Sequence, residues 1–170
     1  MRTLTFTLLF IFSGIFANAQ NNIIWEPLYE PGSGGRMTGI AISPHNEKHV
    51  IITGDMLGVD VSFDGGDSWN STFGLVSYEC AQPTFHPADS NIVWLGTLSG
   101  PYISYDRGIN WTLKRNGMGD FGDWYYSHPI ERILIDPEDP EHLLAFEGNK
   151  RHWGGAGSGS TKWGGVWESN

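Results

Sequence analysis

A repeat constrains this chain more than any other feature, because repeated units must stack on one another and a missed period misassigns the whole fold. Three segments end alike on a proline: Gly39-Ile40-Ala41-Ile42-Ser43-Pro44, Gln82-Pro83-Thr84-Phe85-His86-Pro87 and Arg132-Ile133-Leu134-Ile135-Asp136-Pro137. Each proline leads into a polar turn (45–48, 88–91 and 138–141). An apolar run follows each turn: Val50-Ile51-Ile52, Ile92-Val93-Trp94-Leu95 and Leu143-Leu144-Ala145-Phe146. This pattern reads as strand, turn, strand, three times over. Behind the first two copies lies a second signature, Ser-x-Asp-x-Gly-x-x-Trp, at Ser62, Asp64, Gly66 and Trp69 and again, 42 residues on, at Ser104, Asp106, Gly108 and Trp111. Its chemistry suits a hairpin. The Asp carboxylate can accept backbone N–H bonds inside the turn, Gly takes a backbone angle that other residues resist, and Trp packs beneath.

These two octets resemble the Asp box of BNR-repeat proteins, the superfamily of sialidases, xyloglucanase-type glycoside hydrolases, sortilin-type receptors and related propellers. The resemblance implies an all-β fold, a β-propeller of four-stranded antiparallel blades. Propellers close with about 4 to 8 blades. At about 43 residues per blade this chain supplies two blades and part of a third. Its last residues, Gly165-Val166-Trp167-Glu168-Ser169-Asn170, match the approach to a third Asp box. Residues 20–170 are therefore expected to be the N-terminal part of a propeller domain truncated at its C-terminus, with the remaining blades supplied by the missing part.

Residues 1–19 are set apart from that domain. A basic start at Arg2, an apolar run over 4–15 and small residues at Ala17 and Ala19 form a secretory signal peptide. The run is too short and too broken by Thr5, Thr7, Ser13 and Gly14 to span a bilayer. The protein is therefore expected outside the cytoplasm: secreted, periplasmic or on the cell surface. A net charge of -9 argues against nucleic acid, whose phosphates need clustered Lys and Arg. The single Cys80 excludes an internal disulfide and a cysteine zinc site and reads as a buried thiol. No cofactor or metal is implied. The acidic turn of Asp136, Glu138 and Asp139 lacks a calcium-loop pattern and reads as solvated, and His45, His49, His86 and His142 sit on or beside the proline turns as ordinary hydrogen-bonding residues.

If a blade runs A, B, C, D, the proline turn (A to B) and the Asp box (C to D) share one rim. The B–C loops (53–59, 96–101, 147–165) and the D–A loops (73–81, 114–131) share the other. The resemblance implies that this second rim holds the binding site. Its long loops carry Trp124, Tyr125, Tyr126, His128, His152, Trp153 and Trp163, together with Asp120, Asp123, Glu131, Lys150, Arg151 and Lys162. Aromatic faces beside hydrogen-bonding groups suit sugar rings, which have apolar C–H faces and a girdle of hydroxyls. Residues 34–44 followed by Thr53-Gly54-Asp55 resemble the first blade of xyloglucan-active hydrolases, which implies that Asp55 is the catalytic base. Here Gly54 is an extra residue, and Asp60 and Ser62 stand where aromatic and basic residues are usual. A glycosidase needs a second carboxylate about 5 to 9.5 Å away, which in the resembling family comes from a later blade.

Three functions follow from these residues. The first is an exported glycoside hydrolase acting on a polysaccharide or oligosaccharide, with this fragment alone inactive. The second is a non-catalytic BNR-repeat propeller that binds glycans or protein segments, as sortilin-like receptors and assembly factors do. The third, a sialidase, needs three converging arginines, and only Arg36 and Arg132 are placed for it, since Arg107 lies inside an Asp box.

Overall fold

The computed structural model describes residues 25, 35–118, 128–148 and 165–169. Among them lie eleven strands and no helix. Four form a first sheet in the order β1 (Met37–Ser43), β2 (Asn46–Gly54), β3 (Gly58–Ser62) and β4 (Asn70–Ser71). The second sheet repeats it with β5 (Thr84–Phe85), β6 (Val93–Thr97), β7 (Gly100–Ser104) and β8 (Thr112–Leu113). The third has β9 (Ile130–Ile135), β10 (Leu143–Glu147) and β11 (Gly165–Glu168). All neighbouring strands within the sheets run antiparallel. The architecture is that of an incomplete β-propeller, two four-stranded blades and a three-stranded one.

Period-2 side-chain alternation decides which residues join the blades. In blade 1, Ile51 and Val61 are paired across β2 and β3 and so share a face. That face packs with Val93, Leu95 and Tyr102 of blade 2 in one buried cluster. The next residue along β6, Trp94, points the other way and packs with Ile133 and Ala145 of blade 3. The core is thus two apolar seams between blades rather than a central mass. Gly96 lets the second seam close: a Cβ there would lie 2.3 Å from the Ile130 carbonyl oxygen.

The two Ser-x-Asp-x-Gly-x-x-Trp turns are built alike. Ser62 Oγ donates to Asp64 Oδ1 at 2.7 Å and accepts the Gly66 N–H at 2.8 Å, while Asp64 Oδ1 accepts the Ser68 N–H at 2.9 Å. In the second copy the corresponding distances, for Ser104, Asp106, Gly108 and Asn110, are all 2.8 Å. Gly66 and Gly108 have φ of 103° and 93°, the left-handed side of the map where a side chain is strained. The copies differ one residue earlier. Gly65 (φ 88°) is replaced by Arg107, which keeps a φ of 64° and lays its guanidinium over the Phe63 ring of blade 1, 5.0 Å from the centroid.

Candidate functional site

Pairing in blade 1 puts Ser43 opposite Asn46 at one end of the sheet and Gly54 opposite Gly58 at the other. Asp55, next after β2, therefore stands on the rim opposite Asp64 and Asp106. Its position is tied from both directions: the Asp55 N–H donates to the Arg36 carbonyl at 3.0 Å, and the Arg36 N–H donates to Asp55 Oδ1 at 2.7 Å. The glycine-rich lead-in has a physical purpose here. Gly35 has a φ of 110°, and a Cβ on it would lie 2.5 Å from Asp55 Oδ1, so only glycine lets the backbone come this close.

Thr53 anchors the neighbouring segment. It is fully buried, and its hydroxyl donates to the Ala81 carbonyl at 2.9 Å and lies 3.2 Å from the Thr38 hydroxyl. Thr38 in turn donates to the Cys80 carbonyl, and the Cys80 N–H bonds the Gly54 carbonyl at 3.1 Å. The Cys80 thiol is buried, and that burial pushes its pKa far up, so it is an inert structural group. This lattice brings the starts of β1 and β9 and the lead-in to β5 together. Gln82 donates to the Ile40 carbonyl, and Thr84 Oγ1 donates to the Ile133 carbonyl at 2.7 Å.

Between these strand starts lies a cleft of about 440 Å³, lined by Arg36, Thr38, Glu79, Gln82, Glu131 and Arg132 among others. It gathers two guanidiniums, two carboxyls and an amide beside Asp55, a donor and acceptor set suited to hydroxyl groups. A larger hollow of about 600 Å³ opens between blades 2 and 3, walled by Trp94, Ile133, Leu143, Ala145 and Trp167. Those are the residues of the second seam, so that hollow is an extension of the packing, and the smaller polar cleft is the better candidate for chemistry.

Of the residues the sequence singled out on this rim, Arg36, Glu131 and Arg132 line the cleft, and Asp55 is bonded to Arg36 beside it. His128 does not present its ring to the surface. It is 1% exposed, its N–H bonds the Leu98 carbonyl at 3.0 Å, and its Nδ1 lies 3.6 Å from Glu147 Oε1. Glu147 Oε2 also accepts the Trp167 indole N–H at 2.8 Å, so His128, Glu147 and Trp167 form a polar knot where β10 ends. Trp124, Tyr125, Tyr126, His152, Trp153 and Trp163, with Asp120, Asp123, Lys150, Arg151 and Lys162, lie outside the described residues, as does the segment 1–19.

Sequence reasoning passed over three residues here. Tyr78, Glu79 and Gln82 belong to the connection between β4 and β5, which has no periodicity to mark it. Along Val76-Ser77-Tyr78-Glu79-Cys80 the buried residues, Ser77 and Cys80, are three apart while Val76 and Tyr78 are exposed, so no alternation marks the segment. Among the described residues no helix is long and apolar enough to cross a membrane.

No protein-family model matches the chain, and no curated protein sequence matches it. Solved structures do. An ancestral GH74 enzyme is 28% identical with a TM-score of 0.60, over 74% of this chain and 15% of that one. The GH74 enzyme of Niastella koreensis is 18% identical with a TM-score of 0.55, over 77% and 19%. The GH74 xyloglucanase of Xanthomonas campestris is 17% identical with a TM-score of 0.54, over 80% and 20%. The last two likenesses are of fold alone. This chain thus spans 15% to 20% of the length of these three structures, and it is similar in fold to the β-propeller of glycoside hydrolases.

Proposed function

We propose that this chain is the N-terminal part of an exported, glycan-active propeller of the BNR-repeat superfamily, a glycoside hydrolase in which Asp55 acts as the catalytic base. The observation that carries this reading is the position of Asp55. It follows β2 directly on the rim away from the Asp turns, bonded to Arg36, which lines the polar cleft. The 28% identity with a GH74 enzyme supports the same reaction class. In such a reaction a carboxylate takes a proton from water or attacks the sugar, while a second carboxyl protonates the leaving oxygen. Arg36, Gln82 and Arg132 would bind sugar hydroxyls, and later blades would supply the second acid. In this reading residues 1–19 act as a secretory leader that carries the protein out of the cytoplasm.

The test is hydrolysis of a panel of β-linked plant and algal polysaccharides by the full-length protein and by Asp55→Asn. The amide keeps the shape and the bond from Arg36 but cannot take a proton. Turnover should fall by about 10²-fold or more, with binding kept. Full activity in Asp55→Asn would overturn the assignment.

A second reading is favoured by the same hydrogen bond. Asp55 Oδ1 accepting the Arg36 N–H is also what a turn-capping Asp does, and in that case the protein is a non-catalytic propeller that binds glycans or protein segments. Binding of a glycan without cleavage would select it.

A further inference from the structure

Tyr78 is an exposed aromatic side chain on the same rim as Asp55. It is 60% exposed, in a segment whose flanking residues Ser77 and Cys80 are buried. The segment is fixed on both sides. Ser77 Oγ donates to the Glu79 carbonyl at 3.2 Å, the Cys80 N–H donates to the Gly54 carbonyl at 3.1 Å, and the Tyr78 carbonyl accepts the Gly58 N–H at 3.0 Å. The ring itself lies against a residue without a side chain: Cδ1 is 3.7 Å from the position a Cβ on Gly58 would take. Gly58 closes the same short loop that begins with Asp55, and the residue after Asp55, Met56, is 75% exposed. The 55–58 loop on this rim thus carries Asp55 and the exposed Met56, the Tyr78 ring lies against its Gly58 end, and Asp55 is bonded to Arg36, which lines the polar cleft.

We propose that Tyr78 is the platform on which one pyranose ring of the glycan stacks next to Asp55, an inference that rests on the glycan-active reading above. A pyranose presents axial C–H bonds on its face, and a rigid aromatic ring offers a large contact area with little side-chain entropy to lose. The backbone bonds that hold residues 77–80 set the platform before the ligand arrives, so little ordering is needed on binding. A glycan crossing the rim would pass from stacking at Tyr78, over the Asp55 carboxylate, to hydrogen bonding in the cleft. Tyr78 is thus a binding residue and takes no part in proton transfer.

The experiment uses the full-length protein in affinity gels containing xyloglucan, hydroxyethyl cellulose or mixed-linkage β-glucan, with a thermal melt for every variant. Tyr78→Ala is expected to weaken retention by the preferred polymer at least 10-fold, and Tyr78→Leu, which keeps volume but loses the ring, by a similar factor. Tyr78→Phe should bind like the wild type, because the ring face and not the hydroxyl makes the contact. Tyr105→Ala serves as the control: Tyr105 is 58% exposed but follows Ser104 on the opposite rim, and its loss should leave retention unchanged. Wild-type affinity in Tyr78→Ala or Tyr78→Leu would overturn the platform and leave the glycan-active reading standing. A wild-type protein retained by none of the three polymers would overturn both. An equal loss in Tyr105→Ala would show that retention does not report this rim, against the proposal.

Discussion

His49 shows how one side chain can set the pH range of a blade seam. Its ring is buried between Phe63 of blade 1 and Phe85 of blade 2, each with a centroid 5.0 Å away, and its Nε2 donates to the Arg107 carbonyl at 2.9 Å. Burial depresses its pKa; the carbonyl bond opposes that shift, and the Arg107 charge adds to it. A histidine whose folded pKa is lowered contributes stability that is complete above its unfolded value of about 6.5 and is lost as pH falls below it. We expect the melting temperature to drop between pH 7.5 and pH 5, and His49→Phe to flatten that slope. His142 has the opposite sign. Its Nε2 lies 2.8 Å from Glu168 Oε1 and its Nδ1 3.6 Å from Asp136 Oδ2, and these contacts, Glu168 first, raise its pKa. Its contribution is complete below about pH 6.5 and is lost as pH rises through the higher folded value. His142→Gln should therefore steepen the fall in stability on the acid side, a difference that paired melts of the two variants would resolve.

Strands and turns carry the next level, and the repeat makes them comparable pair by pair. Asp64 is held at a pKa of about 2, first by the Ser68 hydroxyl and then by the Ser68 N–H and the Ser62 hydroxyl, so its carboxylate is a fixed acceptor in the turn. Asp64→Ala should lower the melting temperature by several degrees and leave the glycan binding proposed for the opposite rim intact. The two tryptophans are unequal for a topological reason. Trp111 is buried against blade 1, whereas Trp69, at the same point of the first repeat, is half-buried, since no blade precedes blade 1 among the described residues. Trp111→Ala is expected to cost about 3 to 5 kcal/mol and Trp69→Ala distinctly less, as read by denaturant titration. Gly108→Ala adds a Cβ 2.8 Å from Ile51 Cδ1 at a φ of 93° and should cost about 1 to 3 kcal/mol. These elements were legible in the sequence because Pro44, Pro87 and Pro137 and the two Asp turns recur in phase, and local turn chemistry is what such a repeat encodes. Asp55 was singled out only through the resemblance of residues 34–44 and 53–55 to the first blade of xyloglucan-active hydrolases, and its role stays a proposal. The settings of Tyr78 and His128 were not legible, since exposure of the first is set by buried neighbours on either side, and burial of the second by the distant Leu98 carbonyl and Glu147. Neither constraint leaves a period in the sequence.

At the scale of the molecule, the alternation that builds the seams also leaves two faces open. On blade 1 the exposed residues Ile40 and Ile42 pair with Ile52 and Val50 and so lie on the face turned away from blade 2. On blade 3 the exposed residues Leu134, Leu144, Phe146 and Val166 lie on the face turned away from blade 2. Each is the counterpart of a face that is buried inside a seam elsewhere in the chain: Ile52 corresponds to Leu95, and Leu144 to Trp94. Apolar sheet faces of this kind drive association when no further blade covers them. The 170-residue chain in isolation is therefore expected to self-associate at micromolar concentration, as read by sedimentation velocity. A longer chain in which further blades cover both faces, as proposed above, should sediment as a single species and melt at a higher temperature. Charged substitutions at the two faces, Ile42→Lys together with Phe146→Glu, should reduce association of the isolated chain without disturbing either seam, because both side chains point away from blade 2. A soluble wild-type monomer that unfolds in one two-state transition would show that the two faces are already satisfied within the chain, and would remove the need for further blades to cover them.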